Sequence, residues 1–253
     1  MTPFEIHYYE AKGVRMRYYT AGAGSPLLFL HGGGVQALTY RKNLELLAQR
    51  FFVIAPDIPP FGASSMPPNI WNFIDYANFF SGFVDSLALT GLAVVGHSFG
   101  GGIAYCLAAQ SPRVRRLVLI DAAGVSLPPL PLFFTRFFMK KTRYNLMYDI
   151  RLTLAMEREF MVNAIRKLPY LIRGIRIVAH ALKPQYGEVF KRIVTPTLIL
   201  WGGKDEELFP PDDARFLHGA LKGSQLKEIS GNHDWCLFQP ERLYGEIVQF
   251  VYG

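Results

Sequence analysis

Cysteine is scarce in this 253-residue chain: only Cys106 and Cys236 occur, too few for a disulfide framework. Cys106 falls in the apolar segment Ile103–Ala109, where a thiol behaves as a small hydrophobe. Long apolar runs are missing too. None approaches the ~18 uninterrupted residues that a membrane-spanning helix requires, and Met1-Thr2-Pro3-Phe4-Glu5 lacks the basic-then-apolar layout of a secretion leader. A reducing, cytoplasmic setting is therefore expected. There is no internal repeat and no low-complexity tract, and neither a metal nor an organic cofactor is expected. Half of the residues are hydrophobic, which excludes a disordered chain.

Acidic residues are scarce in one place only. Between Gly124 and Phe190 there are 11 Lys or Arg against 4 Asp or Glu, whereas the rest of the chain holds 16 of each. The whole net charge of +7 thus belongs to one segment. That segment carries no nucleic-acid-binding motif, so no nucleic-acid partner is expected. A solvated basic face, attraction of an anionic substrate and contact with a membrane surface remain open for it.

What is present is an alternation of strand-like and helix-like segments. Short runs rich in Val, Ile and Leu occur at Val14–Tyr19, Leu27–Leu30, Phe51–Ala55, Leu92–Val95, Leu117–Ile120, Thr197–Trp201 and Leu226–Ile229, with Ile6–Tyr9 as a further edge strand. Helical patterns occupy Arg41–Gln49, Ile74–Leu87, Gly101–Gln110, Asp212–His218 and Pro240–Phe250. This predicts a three-layer α/β sandwich whose chemistry sits at the carboxyl ends of the strands. The alternation stops after Asp121 and resumes at Thr195-Pro196, an interval too long for a loop and read as a helical insertion. The expected division is a core of residues 1–123 and 190–253 with a lid over 124–189. Phe133/Phe137 and Phe134/Phe138 are each four apart, so each pair shares a helical face and is a candidate for the substrate pocket.

Gly96-His97-Ser98-Phe99-Gly100 follows the apolar run Leu92–Val95, the arrangement of a sharp strand-to-helix turn that exposes a serine above a sheet. Serine is hardly ionised near neutrality and needs a base, which in turn needs a carboxylate to orient it. His233 follows a strand and precedes the last helix, which makes it the preferred base. His31 suits a structural hydrogen bond, and the His97 side chain is expected to leave the elbow on the other side. Asp205, just after Gly202-Gly203, is the preferred acid; Asp121, at the end of the preceding strand, is the alternative, and Glu206 and Glu207 are neighbouring competitors. Backbone donors for an oxyanion are expected from Phe99 and from the glycine run after His31, with Gly33 preferred and Gly34 next.

On these motifs the chain resembles the α/β-hydrolase fold family, serine-nucleophile branch, nearly end to end. Gly96–Gly100 matches G-x-S-x-G, His31-Gly32-Gly33-Gly34 matches the oxyanion loop, and Gly231-Asn232-His233 resembles the histidine loop. Three departures stand out: Pro60 replaces a glycine in Asp57-Ile58-Pro59-Pro60-Phe61-Gly62-Ala63-Ser64, Pro210 falls one position late after the acid turn, and Asn232 replaces a frequent glycine. The resemblance implies a mostly parallel sheet of about eight strands with a lid after the sixth, and a triad in the order Ser98, Asp205, His233. Serine at 98 argues against the family's dehalogenases and epoxide hydrolases, which carry aspartate there. The expected activity is hydrolysis of a small-molecule carboxylic ester or other acyl substrate through an acyl-enzyme. Two alternatives stand beside it: carbon–carbon bond hydrolysis of a carboxylate-bearing diketone, and a ligand receptor that keeps the pocket without the chemistry.

Overall fold

One sheet organises the chain. Its strands are β1 (Glu5–Ala11), β2 (Val14–Ala21), β3 (Ser25–Leu30), β4 (Phe51–Pro56), β5 (Leu92–His97), β6 (Val114–Ile120), β7 (Thr197–Gly202) and β8 (Gln225–Ile229). They lie in the order β1-β2-β4-β3-β5-β6-β7-β8; β1 and β2 are antiparallel, and so are β2 and β4, while the other pairings are parallel. The computed structural model describes residues 3–126, 142–143, 145–166, 168–204 and 209–253, with the backbone alone at 163, 164, 166 and 171. Asp205, Glu206, Glu207, Phe133, Phe134, Phe137 and Phe138 lie outside the described residues.

The parallel strands read as continuous apolar runs because both sheet faces are covered. Alternate side chains divide between two layers. Leu28, Leu30, Val94, Leu117, Leu119 and Trp201 join one, beneath α2 (Phe73–Ser86) and α3 (Phe99–Gln110). Leu27, Phe29, Val95, Val118, Ile120 and Leu200 join the other, beneath α1 (Arg41–Leu47) and the C-terminal α9 (Pro240–Tyr252). The first layer is aromatic. Phe73, Tyr76, Phe80 and Phe83 recur along α2 at helical spacing and are fully buried, each ring contributing roughly 1.5–3 kcal/mol. Asn72 starts that helix: its Oδ1 accepts from the Ile74 and Asp75 amides while the Asp75 carboxylate accepts from the Asn72 amide.

After β6 the chain leaves the sheet and returns at β7. This insertion holds α4 (Ile150–Arg166), α5 (Leu171–Ala181) and the short α6 (Gly187–Phe190). Asp149 caps α4 by accepting from the Leu152 amide at 2.9 Å. The two longer helices bury opposite anchors: Met156 of α4 joins the layer of Phe29 and Tyr40, whereas Ile177 and Ala181 of α5 join the layer of Phe73 and Tyr186. The insertion is thereby held to both layers of the core. Beyond it lie α7 (Pro211–Ala220) and the single turn α8 (Trp235–Phe238) that follows the histidine loop.

Candidate active site

At the end of β5 the backbone reverses in one residue. Ser98 has φ +53° and ψ −118°, a conformation that costs an L-residue about 1–3 kcal/mol. It is held there from several sides: the Ser98 amide donates to Ile120 O at 2.9 Å, and Ser98 O accepts from the amides of Gly101, Gly102 and Ala123. The following helix passes so close to β3 that a Cβ on Gly100 would lie 2.2 Å from Leu30 O. The Gly100 amide also donates to His31 O at 3.1 Å, joining the elbow to the glycine loop. Helix α3 begins at Phe99, two residues earlier than its sequence pattern predicts, because the glycines required by this approach mask the helical period at its start.

The glycine loop lies against the elbow. A Cβ on Gly32 would be 3.5 Å from Ser98 Cβ, and one on Gly33 would be 3.5 Å from Phe99 Cβ. The Phe99 amide opens its helix and has no intrahelical carbonyl to bond. Gly33 and Phe99 are thus neighbours beside Ser98. Gly34 has φ +83°, and its Cα faces the Phe160 ring of α4, which sits 2.8 Å from where a Cβ would be. The loop is latched below by His31, whose Nε2 accepts from the Ile58 amide at 2.8 Å while Nδ1 donates to Gly32 O at 2.7 Å. Burial pushes the His31 pKa down, with the nearby Asp57 opposing, so the ring is neutral. The structural role expected for His31 is the one observed.

Asp57 organises the 57–64 loop. Its fully buried carboxylate accepts from Arg17 Nε at 2.8 Å, pairs with Arg17 Nη2 at 2.6 Å, and accepts from the Ala37 and Ala63 amides at 3.0 Å each. One acid thereby fastens β2, the glycine loop and the 57–64 loop together. Arg17 also donates to Gln36, and Thr39 donates to Glu159 of α4.

His233 is buried with its ring 5.3 Å from Phe209 and 4.8 Å from His97, centroid to centroid. His97 leaves β5 on the face of Val95, beside Tyr40. Its Nε2 donates to His233 O at 2.9 Å and its Nδ1 lies 2.6 Å from the Tyr40 hydroxyl. Residue 97 thereby lies beneath the histidine loop. With one nitrogen donating to a carbonyl and the other accepting from a phenol, His97 has no free lone pair for a substrate proton.

Asp121, the alternative acid, sits at the end of β6 with φ +42°. One of its oxygens accepts from the Gly202 amide at 2.8 Å and the other from Trp235 Nε1 at 2.9 Å. One ligating atom each from His97, Asp121 and His233 lies within a 4.8 Å group. Both His97 nitrogens are engaged, one donating to His233 O and the other accepting from Tyr40, so His97 offers a metal no open lone pair.

Asn232, which departs from the family's usual glycine, pairs with the insertion. Asn145 Nδ2 donates to Asp234 Oδ2 at 2.7 Å, and Asn232 Nδ2 donates to Asn145 Oδ1 at 2.9 Å. All three side chains are buried. The histidine loop is thus clasped by the segment that precedes α4. Neither Asn145 nor Tyr40 stood out in the sequence, since each belongs to a pairing 87 or 57 residues away in the chain.

A family model described as the alpha/beta hydrolase fold matches residues 25–156. The chain belongs to that family. This hydrolase is 28% identical over 296 aligned positions to an uncharacterised protein of Mycobacterium tuberculosis, covering 98% of this chain and 81% of that one. It is 42% identical over 128 residues to a 2-hydroxymuconate semialdehyde hydrolase of a Pseudomonas species, covering 47% of this chain and 44% of that protein. Among solved structures it is similar to a meta-cleavage product hydrolase from Pseudomonas fluorescens, with a TM-score of 0.79 and 25% identity over 96% of each chain.

Proposed function

We propose that this hydrolase cleaves a carbon–carbon bond beside a ketone in a carboxylate-bearing diketone. The observation that carries the reading is the 42% identity to a 2-hydroxymuconate semialdehyde hydrolase, in a chain that keeps serine at the elbow. Ester cleavage, the activity expected from the sequence, becomes the second reading; the same residues serve both.

Ser98 Oγ attacks the ketone carbon as His233 takes its proton. The negative charge that develops on the ketone oxygen is met by the Phe99 and Gly33 amides. Collapse of this adduct breaks the carbon–carbon bond, and its electron pair passes into the conjugated enone, where the second carbonyl holds it as an enolate. His233 returns the proton to that fragment. The acyl group left on Ser98 is released by water, with His233 again the base, giving a carboxylic acid. Asp205 orients His233 in the order Ser98, Asp205, His233 that the family shares. The cationic insertion draws in the substrate carboxylate.

The test compares kcat/KM on a vinylogous diketone acid, followed by loss of its chromophore, with that on p-nitrophenyl esters. A strong preference for the diketone is expected, and Ser98→Ala abolishes both activities. Efficient ester turnover with no diketone cleavage would restore the ester reading.

A further inference from the structure

The outward face of the insertion leaves an unusual amount of apolar surface in water. Along α4, Ile150, Leu154, Met161 and Ile165 are exposed together with Arg151 and Arg158, at spacings that place them on one side of the helix. The pattern continues through the exposed turn Leu168–Tyr170 into α5, where Ile172 is 70% exposed and Ile175 and Arg176 accompany it. These side chains are not outward for want of an inner face, because Met156 and Ile177 already fill that role.

The charge on this face has one sign. Residues 150–181 contain two acids, Glu157 and Glu159, and both turn toward their own protein: Glu157 accepts from Thr142 at 2.8 Å and Glu159 accepts from Thr39. What remains outside is mostly aliphatic and cationic, with Tyr170 beside it. A two-fold pairing of this face with a second copy would set arginines against arginines with no acid between them. An anionic bilayer neutralises them and accepts the aliphatic chains at headgroup depth, while long arginine stems let the guanidinium groups reach lipid phosphates.

We propose that the outer face of α4 and α5 docks in the plane of an anionic lipid bilayer and holds the insertion at the membrane surface. Attachment is peripheral, since no helix among the described residues is long and apolar enough to cross a membrane. This binding does not depend on which bond Ser98 cleaves.

Flotation of the full chain with phosphatidylglycerol/phosphatidylcholine vesicles and with pure phosphatidylcholine vesicles tests it. Co-flotation with the anionic vesicles alone is expected, falling as salt rises. Arg151→Gln, Arg158→Gln and Arg176→Gln should each weaken it about fivefold. Leu154→Ser combined with Ile172→Ser should weaken it by at least about tenfold, with the thermal midpoint and turnover of a soluble substrate retained. Absence of flotation with anionic vesicles, or flotation undiminished in these variants, would overturn the proposal. A dimer in sedimentation velocity that the Leu154/Ile172 double variant dissolves would overturn it as well, by assigning the face to contact between copies.

Discussion

The Tyr40 hydroxyl lies 2.6 Å from His97 Nδ1 and accepts from the Gly32 amide at 3.1 Å, so one phenol joins the glycine loop to the residue before Ser98. Since His97 donates in turn to His233 O, a buried chain of three hydrogen bonds connects the loop that carries Gly33 to the loop that carries His233. Burial pushes the Tyr40 pKa well above 10.0, which keeps the phenol protonated and able to donate.

Tyr40→Phe removes the middle of this chain and leaves a buried amide and a buried ring nitrogen without partners, at about 1–3 kcal/mol for each. We expect kcat to fall about tenfold with KM little changed, alongside a lower melting temperature. His97→Asn, whose carboxamide both donates and accepts, should retain more activity than His97→Leu. Steady-state kinetics and thermal melts on the three variants check this.

The two candidate acids are separable by substitution. Asp205→Asn should lower kcat by about 10⁴-fold, as loss of a triad carboxylate does, with stability nearly unchanged. Asp121→Asn should act mainly on stability, because an amide cannot accept from both the Gly202 amide and Trp235 Nε1; roughly 1–3 kcal/mol is at stake. The reverse pattern in paired kinetic and denaturant measurements would assign the orienting role to Asp121.

Asn145→Ala should raise the mobility of the histidine loop by removing the hydrogen bonds that Asn145 makes to Asn232 and Asp234. The expected result is a loss of about 1–3 kcal/mol, and the double variant with Asn232→Gly should cost less than the sum of the two single changes. A double-mutant cycle in urea measures the coupling.

Acid should loosen the glycine loop. The His31 pKa is pushed below 6.5 by burial, so under 6.5 the unfolded chain takes up a proton that the native chain resists. Stability from this group is complete above 6.5 and is lost as pH falls below it. Glu159 works in the opposite direction: burial raises its pKa from 4.5, so its contribution is complete below 4.5 and is lost as pH rises through the native value. Unfolding free energies between about pH 5 and 8 should therefore show a drop on the acid side that His31→Gln flattens.

Much of this was legible in the chain. The strands at Leu92–Val95 and Thr197–Trp201 announce themselves through continuous apolar runs, and the structure extends them only to His97 and Gly202. Ser98, Phe99, Gly33 and His233 share the carboxyl edge of the sheet as their positions after strands predict. The partners of His97 were not legible, since one of them lies in a loop more than a hundred residues away. Asn145 and Asn232 were illegible for the same reason: a polar side chain signals nothing until its distant partner is known. Asp57 read as part of a motif, yet its role as a fastener of three segments needed Arg17, Ala37 and Ala63 in space.

The amide pair between Asn145 and Asn232 bears on how such insertions change in evolution. A cap attached only through apolar packing can be exchanged between relatives as a module, since many side chains of suitable volume satisfy a core. Here one end of the cap and the histidine loop satisfy each other's buried polar groups, so replacing either alone strands the other. A foreign segment grafted across position 145 would leave the Asn232 amide without its partner, unless residue 232 changed with it. The two positions are therefore expected to be inherited as a unit, although one lies in the insertion and the other in the histidine loop.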